Sequence, residues 1–207
     1  GGFLVPQALG EDDWYDWENY TRRGARNQFR WSLQALACKS ADQLTLFQKK
    51  EIHGAWTVEP WVSRLELEGE GQLFLDEKNL WPDGRYVTTH LIISKDYLAK
   101  NPKVVRNLLA GLVEVTQKIN SDKKAATLIL NQELKKETGK ALPEGVISRA
   151  MERVEFTWDP ISTSLRKSAE DAHKVGFLKS RPNLDGIYSL GLLNEVLKEQ
   201  NLPAVAE

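Results

Sequence analysis

The sequence predicts an α/β fold with a small mixed sheet and at least five helices. Two runs rich in β-branched and aromatic residues, GQLFLDE at 71–77 and YVTTHLIIS at 86–94, have the composition of strands. After residue 94, apolar residues recur at intervals of three and four in several segments, which is the period of a helix. The helices are therefore expected mainly in the C-terminal part of the chain.

Short elements are expected around the first strands. A helix is predicted over 41–50, with Ser40 as its N-cap, and IHGAW at 52–56 has the composition of a short buried strand. Pro60 suits the first turn of the next helix because it has no N–H group to leave unbonded. The WPDG sequence at 81–84 predicts a turn between the two later strands.

The first helices after residue 94 have clear start and stop signals. Ser94 and Pro102 mark the beginnings of two of them, and Gly139 ends the helix predicted over 122–139. The long helix after Pro102 is expected to face the core through one apolar stripe, which consists of Val105, Leu108, Leu109, Leu112, Val115 and Ile119.

Further helices are predicted over 143–154, 161–176 and 189–201. Asp159, which is followed by a proline, is expected to be the N-cap of the second of these. Gly176 is the stop signal of the same helix.

Composition excludes several classes of function. The 28 Lys and Arg nearly balance the 29 Asp and Glu, so neither nucleic acid nor an anionic membrane surface is an expected main partner. The longest apolar runs are far shorter than the ~20 residues of a membrane helix. Cys38 is the only cysteine and the three histidines are scattered, so no disulfide, metal site or cofactor is expected. No basic segment followed by an apolar run, the pattern of an export signal, is visible near the N-terminus.

The first 39 residues differ from the rest of the chain in composition and in the spacing of their apolar residues. Three of the seven tryptophans lie at 14–31, among dense charges with neither a helical nor a strand period. Segment 1–39 therefore receives no structural assignment, and residues 40–207 are predicted to form the organised part of the chain.

Motifs of known enzymes are missing from the sequence. It lacks the G-x-S-x-G elbow, the H-E-x-x-H metal motif and the P-loop. Gly69-Glu70-Gly71 lacks the third glycine of a dinucleotide-binding motif, and we expect a turn into the strand that follows. Asp159 and Asp171 are explained by helix capping and by a solvent-exposed helical face. No catalytic residue is predicted.

The sequence GAWTVEPW at 54–61 concentrates aromatic and polar groups where a strand is expected to end. Ligands of open α/β sheets bind at the carboxyl ends of strands, and an indole N–H offers a fixed donor on an apolar wall. Two interpretations stay open from the residues alone. Either Trp56 and Trp61 line a site for a small anion or organic group, or they are core aromatics beside Glu59 at a helix start.

Four phrases, in this order, resemble the solute-binding proteins of ABC-type importers for aliphatic sulfonates, nitrate and taurine. They are SADQLTLFQKKEIHGAWTVEPWVSRL, LFLDEKNLWPDGRYVTTHLIISKDYLAKNP, VEFTWDPISTSLRKSAEDAHKVGFL and LDGIYSLGLLNEVLKE. The resemblance covers residues 40–203 and corresponds to the C-terminal half of those proteins. It implies a type II periplasmic-binding-protein fold, in which two α/β lobes close over a ligand, lacking much of its N-terminal half.

Function and location also follow from this resemblance. It implies that the chain binds a small sulfonate or nitrate-like anion, transfers it to an ABC permease in the membrane and performs no chemistry. A periplasmic or other extracytoplasmic location is implied in the same way.

The resemblance further implies which residues contact the ligand. They are Glu59, Pro60, Trp61 and Trp56, at a hinge that faces the cleft between the lobes, and Thr88, Thr89 and His90 in the VTTHLI phrase. The alternative for Thr88, Thr89 and His90 is that they are ordinary strand residues of the sheet. An oxyanion requires converging N–H and hydroxyl donors, so Glu59 would orient a donor, hold the hinge or bind a cationic part of the ligand.

Two other functions stay open. Because the first half of such proteins has no counterpart in this sequence, an interaction or scaffold module without a small-molecule ligand is the main alternative. The third is a metabolic enzyme with the same kind of fold, such as one that makes a thiamine pyrimidine precursor. It would need a reactive His or Cys, and Cys38 lies outside the resembling segment.

Overall fold

The structure of the chain, a computed structural model, describes residues 2–6 and 38–206. These residues fall into two compact units, of which the first ends at Asp76 and the second begins at Glu77. The Trp-rich segment 1–39 lies almost entirely outside the described residues, so the predicted division near residue 40 stays a prediction.

The described part of the first unit contains a three-stranded sheet. Its central strand is β1 (Gly2–Pro6), which lies between β2 (Ala55–Thr57) and β3 (Gly71–Asp76). The register places Leu4 opposite Ala55. The strand predicted from GQLFLDE is confirmed, whereas the predicted mixed sheet is wrong because both pairings are antiparallel. The sequence did not reveal β1, because its five residues have no clear alternation and are followed by the unassigned segment.

Two helices, α1 (Ser40–Gln48) and α2 (Trp61–Glu68), bury the apolar side chains of this unit. The core consists of Leu44, Phe47, Ala55, Val62 and Leu65, with Ile52 and Leu73 packed against it. The helix predicted over 41–50 is confirmed, but Ser40 is not its cap. The N-cap residue is Lys39, whose side chain makes no capping bond, and Ser40 already lies in the first helical turn.

Gly69 and Gly71 let α2 and β3 approach each other closely. A Cβ atom on Gly69 would lie 2.8 Å from the Leu65 carbonyl oxygen and 3.2 Å from the Phe47 ring. On Gly71 it would lie 3.0 Å from the same carbonyl oxygen. The two glycines are therefore explained by close packing around the core, and the predicted turn into β3 is confirmed.

The described part of the second unit is helical. Two short 3₁₀ turns, Glu77–Leu80 and Pro82–Gly84, come first and confirm the turn predicted from WPDG. The α-helices are α3 (Lys95–Lys100), α4 (Pro102–Ser121), α5 (Lys123–Thr138), α6 (Glu144–Arg153), α7 (Ser162–Lys174) and α8 (Gly191–Glu199). The prediction of at least five helices is confirmed. Within the described ranges, no helix combines the length and the apolar character needed to cross a membrane.

Helices α4 and α8 form the main apolar contact of the second unit. Their buried residues are Val113, Leu193, Val196 and Leu197, and partly buried side chains that include Leu109, Trp158 and Val205 pack around them. Arg106 on α4 forms an ion pair with Glu199 on α8 at the rim of this contact. Both predicted helices are confirmed, and α8, near the C-terminus, packs against α4.

The apolar stripe predicted for α4 is only partly correct. Val105 is buried, but Leu108 and Val115 are 51% and 53% exposed. The face that packs against α8 contains Leu109, which was predicted, and Val113, which was not. Helix α4 has apolar residues on two adjacent faces, and the helical period alone does not determine which face meets the neighbouring helix.

The strand predicted over 86–94 is wrong, because these residues have no strand conformation and no ladder partner among the described residues. Two hydrogen bonds that involve side chains hold this segment in place of strand pairing. The Val87 N–H donates to Ser164 Oγ at 3.2 Å, and His90 Nε2 lies 3.2 Å from the Pro160 carbonyl oxygen. A sequence rich in β-branched residues becomes a strand only where another strand can pair with it.

Helix α7 begins later than predicted, and Asp159 is not its N-cap. The N-cap residue is Ile161, whose φ of 46° is rare for a β-branched residue. The Asp159 carboxylate accepts a hydrogen bond from the Ile161 N–H at 2.8 Å. Asp159 therefore stabilises the turn that leads into α7, and the N-cap lies two residues after the position expected from the Asp-Pro pair.

Candidate ligand-binding site

The predicted contact residues of the first unit lie at the junction of β2 and α2. The strand ends at Thr57, the Glu59–Pro60 peptide bond is cis, and α2 begins at Trp61. The Trp61 N–H donates to the Val58 carbonyl oxygen at 2.9 Å. The structure thus confirms that GAWTVEPW spans the end of a strand and the start of a helix.

Glu59 caps helix α2. Its Oε2 accepts a hydrogen bond from the Ser63 N–H at 3.1 Å, and a carboxylate is favourable at the positive end of a helix dipole. The Trp61, Val62 and Arg64 N–H groups donate to the carbonyl oxygens of Val58 and Pro60. Because the first N–H groups of α2 are all bonded within the chain, an anion finds no unused backbone donor there.

The Glu59 cap leads to a stability prediction. Glu59→Ala is expected to lower the free energy of unfolding by about 1 kcal/mol, because the Ser63 N–H loses its acceptor. Glu59→Gln keeps an acceptor oxygen and is expected to lose only a few tenths of a kcal/mol, from the lost charge. Urea denaturation followed by circular dichroism measures both variants. Equal losses for alanine and glutamine would contradict the capping role.

The two tryptophans of the junction have different surroundings. Trp56 is 50% exposed, whereas Trp61 is partly buried. The Arg64 guanidinium lies 4.9 Å from the centre of a Trp61 ring, at cation–π distance, and is also bound to Glu68 at 2.7 Å. Trp61 is therefore fixed by its own helix, while Trp56 offers half of its indole to solvent.

Two hydroxyl groups near this junction have no hydrogen-bond partner in the described part of the chain. They belong to Thr57, at the end of β2, and to Ser63, in the first turn of α2. Both oxygens are closed off from solvent. They are therefore not available to a ligand in this conformation, and no sequence pattern indicated that these two positions would be buried.

The predicted contact residues of the second unit lie in the segment that follows Arg85. Thr88 and Thr89 are exposed, and His90 is partly buried. The His90 ring also lies 3.3 Å from the Tyr188 hydroxyl, measured from Nε2. The segment is thus held at His90, and the two threonine side chains beside it face solvent.

Arg85 attaches the same segment to the residues before α7. Its guanidinium binds Glu155 through two nitrogens, at 2.6 and 3.1 Å, and lies 3.7 Å from the Asp159 carboxylate. The hydrogen bond to Glu155 raises the pKa of Arg85 above its usual range, so the guanidinium stays charged. Val87 is held by the buried Ser164, as described above. Residues 85–90 and 155–164 therefore form one surface.

Several residues of this surface were not predicted as site residues. They are Arg85, Glu155, Ser164 and Tyr188, together with Asp159, which was interpreted only as a cap. Their contacts join positions about 70 or more apart in the chain, such as Arg85 with Glu155. No local pattern indicates such pairs, although the phrases VEFTWDPISTSL and LDGIYSL, which contain four of these five residues, belong to the resembling segments.

A cavity of about 490 Å³ also lies in the second unit. Lys123 and Arg153 contribute positive charge to its lining, and Glu152 and Glu155 contribute negative charge. Its aromatic residues are Phe156 and Trp158. None of the seven predicted contact residues lines it. Among the residues that the structure describes, no cluster of three His, Cys, Asp or Glu side chains could hold a metal ion.

Comparison with known proteins gives one family match. Residues 32–131, just under half of the chain, match the model of the NMT1-like family, which is associated with substrate-binding proteins of ABC transporters. All seven predicted contact residues lie inside the matched segment. No curated protein and no solved structure matches the chain. The match supports the resemblance at the family level over this segment, and the sulfonate, nitrate and taurine group stays a prediction.

Proposed function

We propose that the chain is a substrate-binding component of an ABC importer and binds a small sulfonate or nitrate-like anion. The family match over residues 32–131 is the observation that carries this proposal, because it includes every predicted contact residue. The fold expected with this function is of the periplasmic-binding-protein type. The protein works outside the cytoplasm, delivers its ligand to a membrane permease and catalyses no reaction.

The proposed contact residues have different roles in the two units. In the first unit, Trp56 offers an exposed indole face, while Glu59, Pro60 and Trp61 shape the junction behind it. The Glu59 carboxylate is committed to the Ser63 N–H, so its role toward a ligand is to hold this backbone in place. Glu59→Gln, which keeps an acceptor oxygen for this bond, is therefore expected to bind the ligand nearly as the wild type does, and a large loss of affinity would contradict this role.

In the second unit, we propose that Thr88 and Thr89 supply hydroxyl donors to the ligand. Both are exposed, and the backbone that carries them is fixed at Val87 and at His90. Oxyanions bind to donors that are held in place before the ligand arrives, because less freedom is then lost on binding. The anchored segment meets this requirement.

A thermal-shift panel of taurine, ethanesulfonate, nitrate and bicarbonate tests the proposed function. A ligand at 100 times its dissociation constant stabilises the folded protein by about 2.7 kcal/mol, which corresponds to about 5–10 °C in Tm for a chain of this size. Sodium chloride at the same ionic strength is the control for general salt effects. A panel in which no compound shifts Tm more than chloride does would contradict the proposal.

The second candidate is a protein-interaction module without a small-molecule ligand. The observation that favours it is an exposed apolar face on α4, formed by Val104, Leu108, Leu112 and Val115. Contiguous exposed apolar residues are typical of protein contact surfaces. Light scattering after size-exclusion chromatography separates the two candidates, since a module of this kind would associate and show no response to the panel.

A further inference from the structure

The cavity of the second unit is separate from the residues of the proposed function. Its volume of about 490 Å³ is within the range of small-molecule sites. It lies where α4 ends, α5 begins and α6 ends, beside the segment 154–158 that follows α6. None of the seven predicted contact residues lines it, so a ligand bound here would use different side chains.

The segment 154–158 is held in place before any ligand arrives. The Asn120 side-chain N–H donates to the Phe156 carbonyl oxygen at 3.0 Å, and Arg85 binds both carboxylate oxygens of Glu155. Trp158 packs against the apolar cluster between α4 and α8. Because this wall is already fixed, a ligand that binds to it loses little free energy to ordering the protein.

Phe156 and Trp158 give the cavity an aromatic part. Both side chains are partly buried, and both belong to the lining. A flat ring placed against them buries apolar surface and gains the favourable contacts of paired aromatic rings. A ligand with an aromatic ring is therefore expected to bind more tightly here than an aliphatic ligand of the same charge.

Two opposite charges in the lining lack ionic partners. Lys123 and Glu152 are exposed, and neither forms an ion pair with any residue in the part of the chain that the structure describes. The Lys123 Nζ contacts the Val154 carbonyl oxygen only at 3.5 Å, which is long for a hydrogen bond. An ammonium group and a carboxylate are thus both available to a ligand.

The other two charged residues of the lining balance each other in sign. Arg153 adds positive charge, and Glu155 adds negative charge that is already bound to Arg85. A ligand with one charge would therefore meet like charge as well as opposite charge in this cavity. A zwitterion pairs with both signs, so it is favoured over a simple anion or cation.

We propose that the cavity is a second ligand site and binds a small zwitterion with an aromatic ring, such as an aromatic amino acid. The ligand carboxylate binds Lys123, and the ligand ammonium group binds Glu152. The ring packs against Phe156 and Trp158. This site goes beyond the proposed function, since it neither contains the predicted contact residues nor requires a sulfonate or nitrate ligand.

Saturation-transfer NMR on the whole chain tests the proposed ligand class with L-phenylalanine and three analogues. 3-Phenylpropionate lacks the ammonium group, phenethylamine lacks the carboxylate, and L-alanine lacks the ring. L-Phenylalanine should bind about tenfold more tightly than each analogue, because each loses an ionic hydrogen bond or the burial of the ring. No binding of L-phenylalanine, or an analogue that binds as tightly, would contradict the proposal.

Two variants locate the binding in the cavity. Lys123→Met should abolish the preference for L-phenylalanine over phenethylamine, and Glu152→Gln should abolish the preference over 3-phenylpropionate. Lys124→Met and Glu137→Gln, at exposed positions of α5 outside the lining, are the matched controls and should keep both preferences. All four changes are at exposed side chains, so circular dichroism should show unchanged folding. Preferences that persist in the two cavity variants, or that the controls lose equally, would contradict the site.

Competition separates the second site from the proposed function. Excess taurine or nitrate should leave L-phenylalanine binding unchanged, because the two sites share no residue. Displacement of L-phenylalanine by either compound would contradict a second site. If L-phenylalanine binds as described and no anion of the panel does, the proposed function is contradicted and the second site stands. If only the anions bind, the second site alone is contradicted.

Discussion

Replacing Phe47 with alanine is expected to lower the free energy of unfolding of the first unit by about 3–5 kcal/mol. Phe47 is 2% exposed and belongs to the core shared by α1, α2 and β2. Its ring also lies directly against the backbone of Gly69 and Gly71. Truncation therefore leaves a cavity that the glycines cannot fill. Small domains are stable by only about 5–15 kcal/mol, so this loss is a large fraction of the total.

Hydrogen exchange measured by mass spectrometry localises this effect. Amide protection should fall within residues 40–76 and stay largely unchanged in the helices of the second unit. Phe74→Ala is the matched control, because Phe74 lies on β3 and is 46% exposed. Its expected loss is below about 1 kcal/mol. Similar losses for the two phenylalanines would show that the core of the first unit is assigned incorrectly.

Leu197→Ala is expected to destabilise the second unit by about 2–5 kcal/mol. Leu197 is fully buried where α8 packs against α4, in contact with the cluster around Val113. The removed side chain leaves a cavity between two helices whose positions are also constrained by the ion pair of Arg106 with Glu199. Urea denaturation followed by circular dichroism measures the loss.

Leu108→Ala on α4 is the control for this second variant. Leu108 is 51% exposed, so its truncation is expected to change the free energy of unfolding by less than about 1 kcal/mol. The pair also tests which face of α4 is buried. A larger loss for Leu108 than for Leu197 would contradict the packing described above and support the stripe predicted from the sequence.

Helices with strong local signals could be predicted from the sequence. Ser94 caps α3 by accepting from the Tyr97 N–H at 3.1 Å, and Gly139 ends α5 with a φ of 78°. These features depend on residues within one turn of each other, so the sequence pattern contains the information needed. The start of α7 depends instead on Ile161, a residue that rarely adopts a positive φ. For this reason the prediction placed the N-cap wrongly at Asp159.

Strand pairing and the candidate site could be predicted less well. The segment 86–94 has the composition of a strand, but a strand requires a partner, and the described residues supply only side-chain contacts such as that of Ser164 with Val87. The junction around Glu59 was located correctly because strand and helix signals meet there. The anchoring of residues 85–90 by Glu155 and Tyr188 depends on contacts between distant parts of the chain, which single-sequence patterns do not contain.

Isothermal titration calorimetry of the purified chain with taurine, and separately with nitrate, tests the central claim most directly. The proposed function predicts saturable binding of at least one of these compounds, with one ligand per chain and a heat that exceeds the dilution heat of sodium chloride. Heats indistinguishable from dilution for taurine, nitrate, ethanesulfonate and bicarbonate, in a chain shown by circular dichroism to be folded, would contradict it.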